Sequence, residues 1–88
     1  MYDQSVLNPD SPLPLYHQLA SELVAGIRAG HYAVGQAIPS EHALASHYGV
    51  GRPTVRQATD LLVRRGLLQR RRGSGTFVTE QLPGVDLF

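Results

Sequence analysis

Only three residues, Gly49, Val50 and Gly51, separate two stretches that each read as helix, and this spacing constrains the chain more than any other feature. So short a connection, carrying glycine for the turn, swings the second helix sharply across the first, the outline of a helix-turn-helix. Before the turn, Ser40 follows Pro39 and offers its hydroxyl as an N-cap, while Glu41 suits the positive end of the helix dipole. The segment 41–48 directs Leu44, Ala45 and Tyr48 toward a core. After the turn, Pro53 stands in a first helical turn, where its missing N–H leaves no hydrogen bond unmade. Val55, Ala58 and Leu62 then form the buried stripe of a helix predicted at about 52–65, ended by Gly66.

The flanking patterns complete a single domain. Leu15, Leu19, Leu23 and Ile27 recur at spacings of four, broadened by Tyr16, Ala20 and Val24, with Pro12 and Pro14 ahead and Gly30 behind. That is an amphipathic helix. Residues 31–36, where Tyr32 and Val34 alternate before Gly35, read as a short extended stretch and turn. Beyond Gly66 the period changes: 67–71 and 76–79 read as strands around Arg72-Gly73-Ser74-Gly75, a β-hairpin whose Phe77 ring is expected to pack on the helices. The expected fold is mainly α with a small β-hairpin, a winged helix-turn-helix of three helices plus a two-stranded wing. Residues 1–11 read as a flexible arm, 12–79 as the domain, and 80–88, with Pro83 and Gly84, as the start of a linker.

Composition narrows the function. Apolar residues make up 42% of the chain without any run long enough for a membrane span, and the N-terminus has neither the basic nor the apolar stretch of a signal peptide. Cysteine is absent, so there is no disulfide framework or thiolate metal site, and a cytoplasmic location is expected. His17, His31, His42 and His47 show no ligand pair one helical turn apart, and the acids are scattered. No nucleophile motif or phosphate-cradling loop occurs. Neither an enzyme nor a cofactor or metal is expected. The net charge of +1 conceals a division: up to Gly51, Arg28 stands against Asp3, Asp10, Glu22 and Glu41, whereas all seven other arginines lie between Arg52 and Arg72 with Asp60 the sole acid among them. A basic segment on an acidic body suits a polyanion, although a solvated arginine face would show the same count.

Arg52 and Arg56 lie one turn apart, opposite Val55, Ala58 and Leu62, with Gln57 on the same exposed side and Pro53 and Thr54 near the helix start. An α-helix fits the major groove, where arginine bridges guanine O6 and N7 and glutamine bridges adenine. Residues near the start of a recognition helix reach base edges. Arg52, Pro53, Thr54, Arg56 and Gln57 are therefore candidate DNA contacts. Ser40 at the preceding helix start, and His42 just inside it, are candidates for the phosphates that a helix N-terminus attracts, and Glu41 between them is a further candidate of the same DNA-facing surface. In the hairpin, Arg70, Arg71 and Arg72 lead into Gly73, Ser74 and Gly75, a small tip that lets backbone approach a groove closely. A winged helix used for contact with an acidic protein partner is the alternative.

Five segments, Pro14–Leu19, Ile38–Glu41, Val50–Ala58, Gly66–Leu68 and Arg72–Val78, carry motifs whose order and spacing resemble the GntR family of transcription regulators, and Thr54 through Val78 resembles its HutC-type subgroup. The resemblance implies an N-terminal DNA-binding domain of a longer regulator, expected to be a repressor. It also implies a C-terminal domain, outside these residues, that binds a small effector, and homodimers on palindromic double-stranded operators. This piece alone is expected to be a monomer or weak dimer. The family's DNA-contacting arginines fall on Arg52 and Arg56 with Thr54 between them, its wing-tip glycine on Gly73, and its Ser-Glu pair on Ser40 and Glu41. The chain departs from the pattern at His42, where arginine is usual, and at Ala43, where a second acid is usual. Gly51 replaces serine or threonine, Pro53 replaces a common threonine, and Thr59 stands where leucine is usual.

Overall fold

The leucines spaced by four form α1 (Leu15–Arg28), and it is followed by α2 (Glu41–Tyr48), α3 (Arg52–Arg64), β1 (Leu68–Arg71) and β2 (Gly75–Val78) in a computed structural model that describes residues 7–79. The readings of residues 1–6 as part of an arm and of 80–88 as a linker lie outside the described residues. All three helices end in the same way. A glycine adopts positive φ just past the helix, and the next N–H reaches back five residues: His31 to Gly26, Val50 to Ala45 and Leu67 to Leu62. The consequence is largest at Gly49, whose φ of 69° reverses the chain within the three-residue turn and delivers Gly51 as the N-cap of α3.

The core is built where the three helices and the hairpin meet. Leu19 and Leu23 of α1, Leu44 of α2, Val55 and Leu62 of α3 and Leu68 of β1 are essentially inaccessible to solvent. Each such side chain contributes roughly 1.5–3 kcal/mol relative to its exposed state. Ile38 and Val78 complete the core on the hairpin side. The packed unit begins N-terminally of Pro12, because Leu7 is buried and the Gln18 side chain ties the preceding segment to α1. Its Oε1 accepts from the Asn8 N–H at 2.8 Å while its Nε2 donates to the carbonyls of Asn8 and Leu13.

Three local expectations are corrected. Residues 31–34 are not extended: Tyr32 lies across α1 at Gly26, so close that a Cβ there would sit 2.8 Å from the ring. The extended pairing comes later, at 35–38, where Ala37 bridges Phe77 and backbone bonds join Gly35 to Val78, Val78 to Gln36, and Ile38 to Thr76. That segment lies along the free edge of β2, so the wing hairpin has its second strand covered on both sides.

The hairpin turn is also tighter than expected. Gly75 pairs with Arg71 and belongs to β2, and the Ser74 N–H closes the turn on the Arg71 carbonyl. The third correction is Phe77, which does not join the helical core. Alternation along β2 sends Val78 inward, where it is 2% exposed, and leaves Phe77 on the opposite face. There the Arg71 guanidinium lies over its ring at 4.4 Å from the centroid.

Candidate nucleic-acid interface

The start of α2, the inward stripe of α3 and the wing border one cleft. It encloses about 270 Å³ and is lined by Ser40 and Glu41 from α2, Val55 and Thr59 from α3, and Arg70 and Ser74 to Thr76 from the wing, among others. The helix-turn-helix geometry brings the first two elements together. Ser40 caps α2 as predicted, its Oγ accepting from the Ala43 N–H at 3.0 Å. Glu41, next in line, points across the turn to α3. Gly51, in contrast, offers α3 no side-chain cap, although a Cβ there would meet nothing nearer than Pro53 Cδ at 3.5 Å.

Glu41 is the centre of the site's electrostatics. Its Oε1 accepts from Arg52 Nε at 3.0 Å and from Arg56 Nη2 at 2.9 Å, while its Oε2 accepts from Arg56 Nε at 3.0 Å. The Arg56 hydrogen bonds are the main reason that the Glu41 carboxyl is held below its ordinary range, against the opposing effect of desolvation; the Arg52 bond adds to them. The same bonds raise the already high pKa of Arg56. Two guanidinium groups that would repel each other are thus held side by side by one carboxylate. They stay 60% and 58% exposed, with the Nη groups of Arg52 and Nη1 of Arg56 uncommitted among the described residues. Pro53, Gln57 and His42 are exposed, and Thr54 is half-buried beside them.

The three wing arginines do not act as a block. Arg70 turns toward α3, Arg71 covers Phe77, and Arg72 has no partner among the described residues. Gly73 and Gly75, at φ 76° and 119°, carry the exposed tip with Ser74 between them. Arg70, grouped with the tip by its place in the arginine run, meets Thr59 and Asp60 instead. Neither partner stands out as a site residue in the sequence, where Thr59 is a departure from a leucine and Asp60 the lone acid of the basic segment. A signal was available: Thr59 lies on the stripe of Val55 and Leu62, and a polar group on a buried face needs a partner. Among the described residues no group of three or more His, Asp or Glu side chains could hold a metal ion, and no helix is long and apolar enough to cross a membrane.

Comparison with known proteins agrees with this geometry. The HTH-type transcriptional repressor NagR of Bacillus subtilis is 42% identical over 74 residues, which cover 84% of this chain and 30% of the repressor. The mannosyl-D-glycerate transport/metabolism system repressor MngR of Escherichia coli is 43% identical over 75 residues, 85% of this chain and 31% of its own length. The chain therefore spans less than a third of the length of these two curated relatives. Among solved structures, the AraR DNA-binding domain in complex with operator ORX1 superposes with a TM-score of 0.79 at 41% identity, covering 84% of this chain and 94% of that one. YtrA from Sulfolobus acidocaldarius, a GntR-family transcription factor, gives a TM-score of 0.78 at 29% identity over 85% of this chain and 79% of its own. The fold is thus the winged helix-turn-helix of these domains. The family model for bacterial regulatory proteins of the gntR family matches residues 4–78, nearly the whole length, and this chain belongs to that family.

Proposed function

We propose that the chain is the DNA-binding domain of a transcription regulator, a repressor, that reads a palindromic double-stranded operator as part of a homodimer. The observation that carries this reading is the pair of exposed guanidinium groups on α3, set by Glu41 beside a cleft shared with the wing. In this reading Arg52, Thr54, Arg56 and Gln57 face base edges or phosphates in the major groove, with Pro53 against the backbone. Ser40 and His42 at the α2 start meet a phosphate, and Arg72, Gly73, Ser74 and Gly75 follow the neighbouring backbone or minor groove. The AraR DNA-binding domain, 41% identical, is solved in complex with operator ORX1, which supports operator DNA as the partner. The repressor names of NagR and MngR support the direction of control. Effector binding belongs to a further domain, outside these residues, as does the main dimer contact. The chain itself acts in the cytoplasm, without cofactor and without catalysis.

The test is enrichment of bound sequences from a pool of random duplexes. A recovered short palindrome, bound with a log–log salt slope of roughly −5 if about six phosphates are neutralised, is the expected result. Binding without enrichment would remove sequence-specific reading. Absence of binding at low salt, with capture of an acidic protein partner retained, would replace this reading with the protein-interaction module.

A further inference from the structure

We propose that Thr59 is a positioning residue for the wing, acting through Arg70. Arg70 Nη2 donates to Thr59 Oγ1 at 2.7 Å, and Arg70 Nη1 lies 2.6 Å from Asp60 Oδ1. The Thr59 hydroxyl in turn donates to the Arg56 carbonyl at 3.1 Å, which orients its lone pairs toward the arginine. Thr59 is 7% exposed, so this is a nearly buried hydroxyl with both of its roles taken. β1 is short and leaves α3 after only the Gly66 turn, and its alternation aims Leu68 and Arg70 at α3 while Gln69 and Arg71 face away. Leu68 anchors the root of the strand in the core. Arg70 is the last inward-facing side chain before the tip, and its two bonds to α3 set the height of the tip over the recognition helix.

This assigns Arg70 a different task from its neighbours. Its charge is answered within the domain, by an acid one residue along from the hydroxyl that receives its second N–H. Arg72, two residues on, is left to meet an external anion. A valine in place of Thr59 would fill the same space on α3 but could accept nothing, so in this chain the wing is coupled to the helix by a polar latch.

The inference rests on the proposed DNA reading for its purpose, and the experiment separates the two. Thr59→Val keeps the shape and removes the hydroxyl, Thr59→Ser keeps the hydroxyl, and Arg70→Met removes the other partner. Each variant, and the Thr59→Val/Arg70→Met double variant, is measured twice. Heteronuclear NOEs of the Gly73, Ser74 and Gly75 amides report wing order in the free domain. Anisotropy on a duplex recovered from the random pool reports affinity. The loss of one such bond predicts lower NOEs at the tip and roughly five- to tenfold weaker binding for Thr59→Val. The Thr59→Ser variant restores both, and the double variant is no worse than Arg70→Met alone. Unchanged wing order in Thr59→Val, additive losses in the double variant, or a loosened wing with unchanged affinity would each overturn the proposal. Should the unmodified chain bind no duplex, the DNA reading fails, and the NOEs still decide whether the latch exists.

Discussion

Helix α3 and the wing each carry clustered arginines, and the two regions handle them differently. On α3, residues four apart share a face, so Arg52 and Arg56 emerge together and a single acid from α2 can hold both. On β1, consecutive residues alternate, so Arg70, Arg71 and Arg72 are dispersed: one inward to Thr59 and Asp60, one over Phe77, one at the tip. The helical pair is a prearranged unit whose members stay exposed. In the wing only Arg72 is wholly uncommitted among the described residues, while the other two are engaged within the domain. The lesson is that arginine count along the chain does not say how many charges a wing presents as a group, and that spacing relative to the local period decides how many act together.

The largest effect that would test this contrast is on the helix. Arg56→Ala is expected to weaken binding to the enriched duplex by roughly ten- to a hundredfold and to relax preference at one position of the half-site. A loss that is equal on all sequences would mean that Arg56 meets phosphate only. Next comes Arg72→Ala, for which a uniform weakening across sequences and a salt slope shallower by about one are expected. If Arg71→Ala shifted the slope equally, the division of labour drawn for the wing would be wrong.

The smallest effect concerns Glu41 and pH. A carboxyl whose pKa is lowered in the fold stabilises it above the unfolded-state value, and that contribution disappears as pH falls through the lowered value. The melting temperature of the unmodified chain should therefore exceed that of Glu41→Gln by a small, constant margin from neutrality down to about pH 5, then converge with it on further acidification. The margin is small because both arginines and the acid remain open to water. A margin that persisted in acid would show that it does not come from the Glu41 charge.

Much of this was legible beforehand because it depends on local chemistry. Ser40 was recognisable as a cap, and Gly49 and Gly66 as helix ends, since each acts on backbone groups a few residues away. The pair Arg52 and Arg56 was legible because helical spacing alone puts them on one face. Phe77 was misread because a large aromatic ring suggests burial, whereas strand alternation gave the core position to Val78 and left the ring to Arg71. The extended segment was placed early because alternation of Tyr32 and Val34 imitates a strand, while the real pairing at 35–38 is chosen by the free edge of β2.

By itself, then, the sequence determined the order and ends of three helices, the presence of a hairpin, and the candidate arginines of the recognition helix, all through periodicity and capping within a few residues. The tertiary structure alone decided who holds those arginines. Glu41 reaches residues 11 and 15 positions away, and Arg70 meets Thr59 across 11. Such partners are chosen by how α2, α3 and the wing pack around Leu44, Val55 and Leu68, and no local pattern encodes a distance that only packing creates.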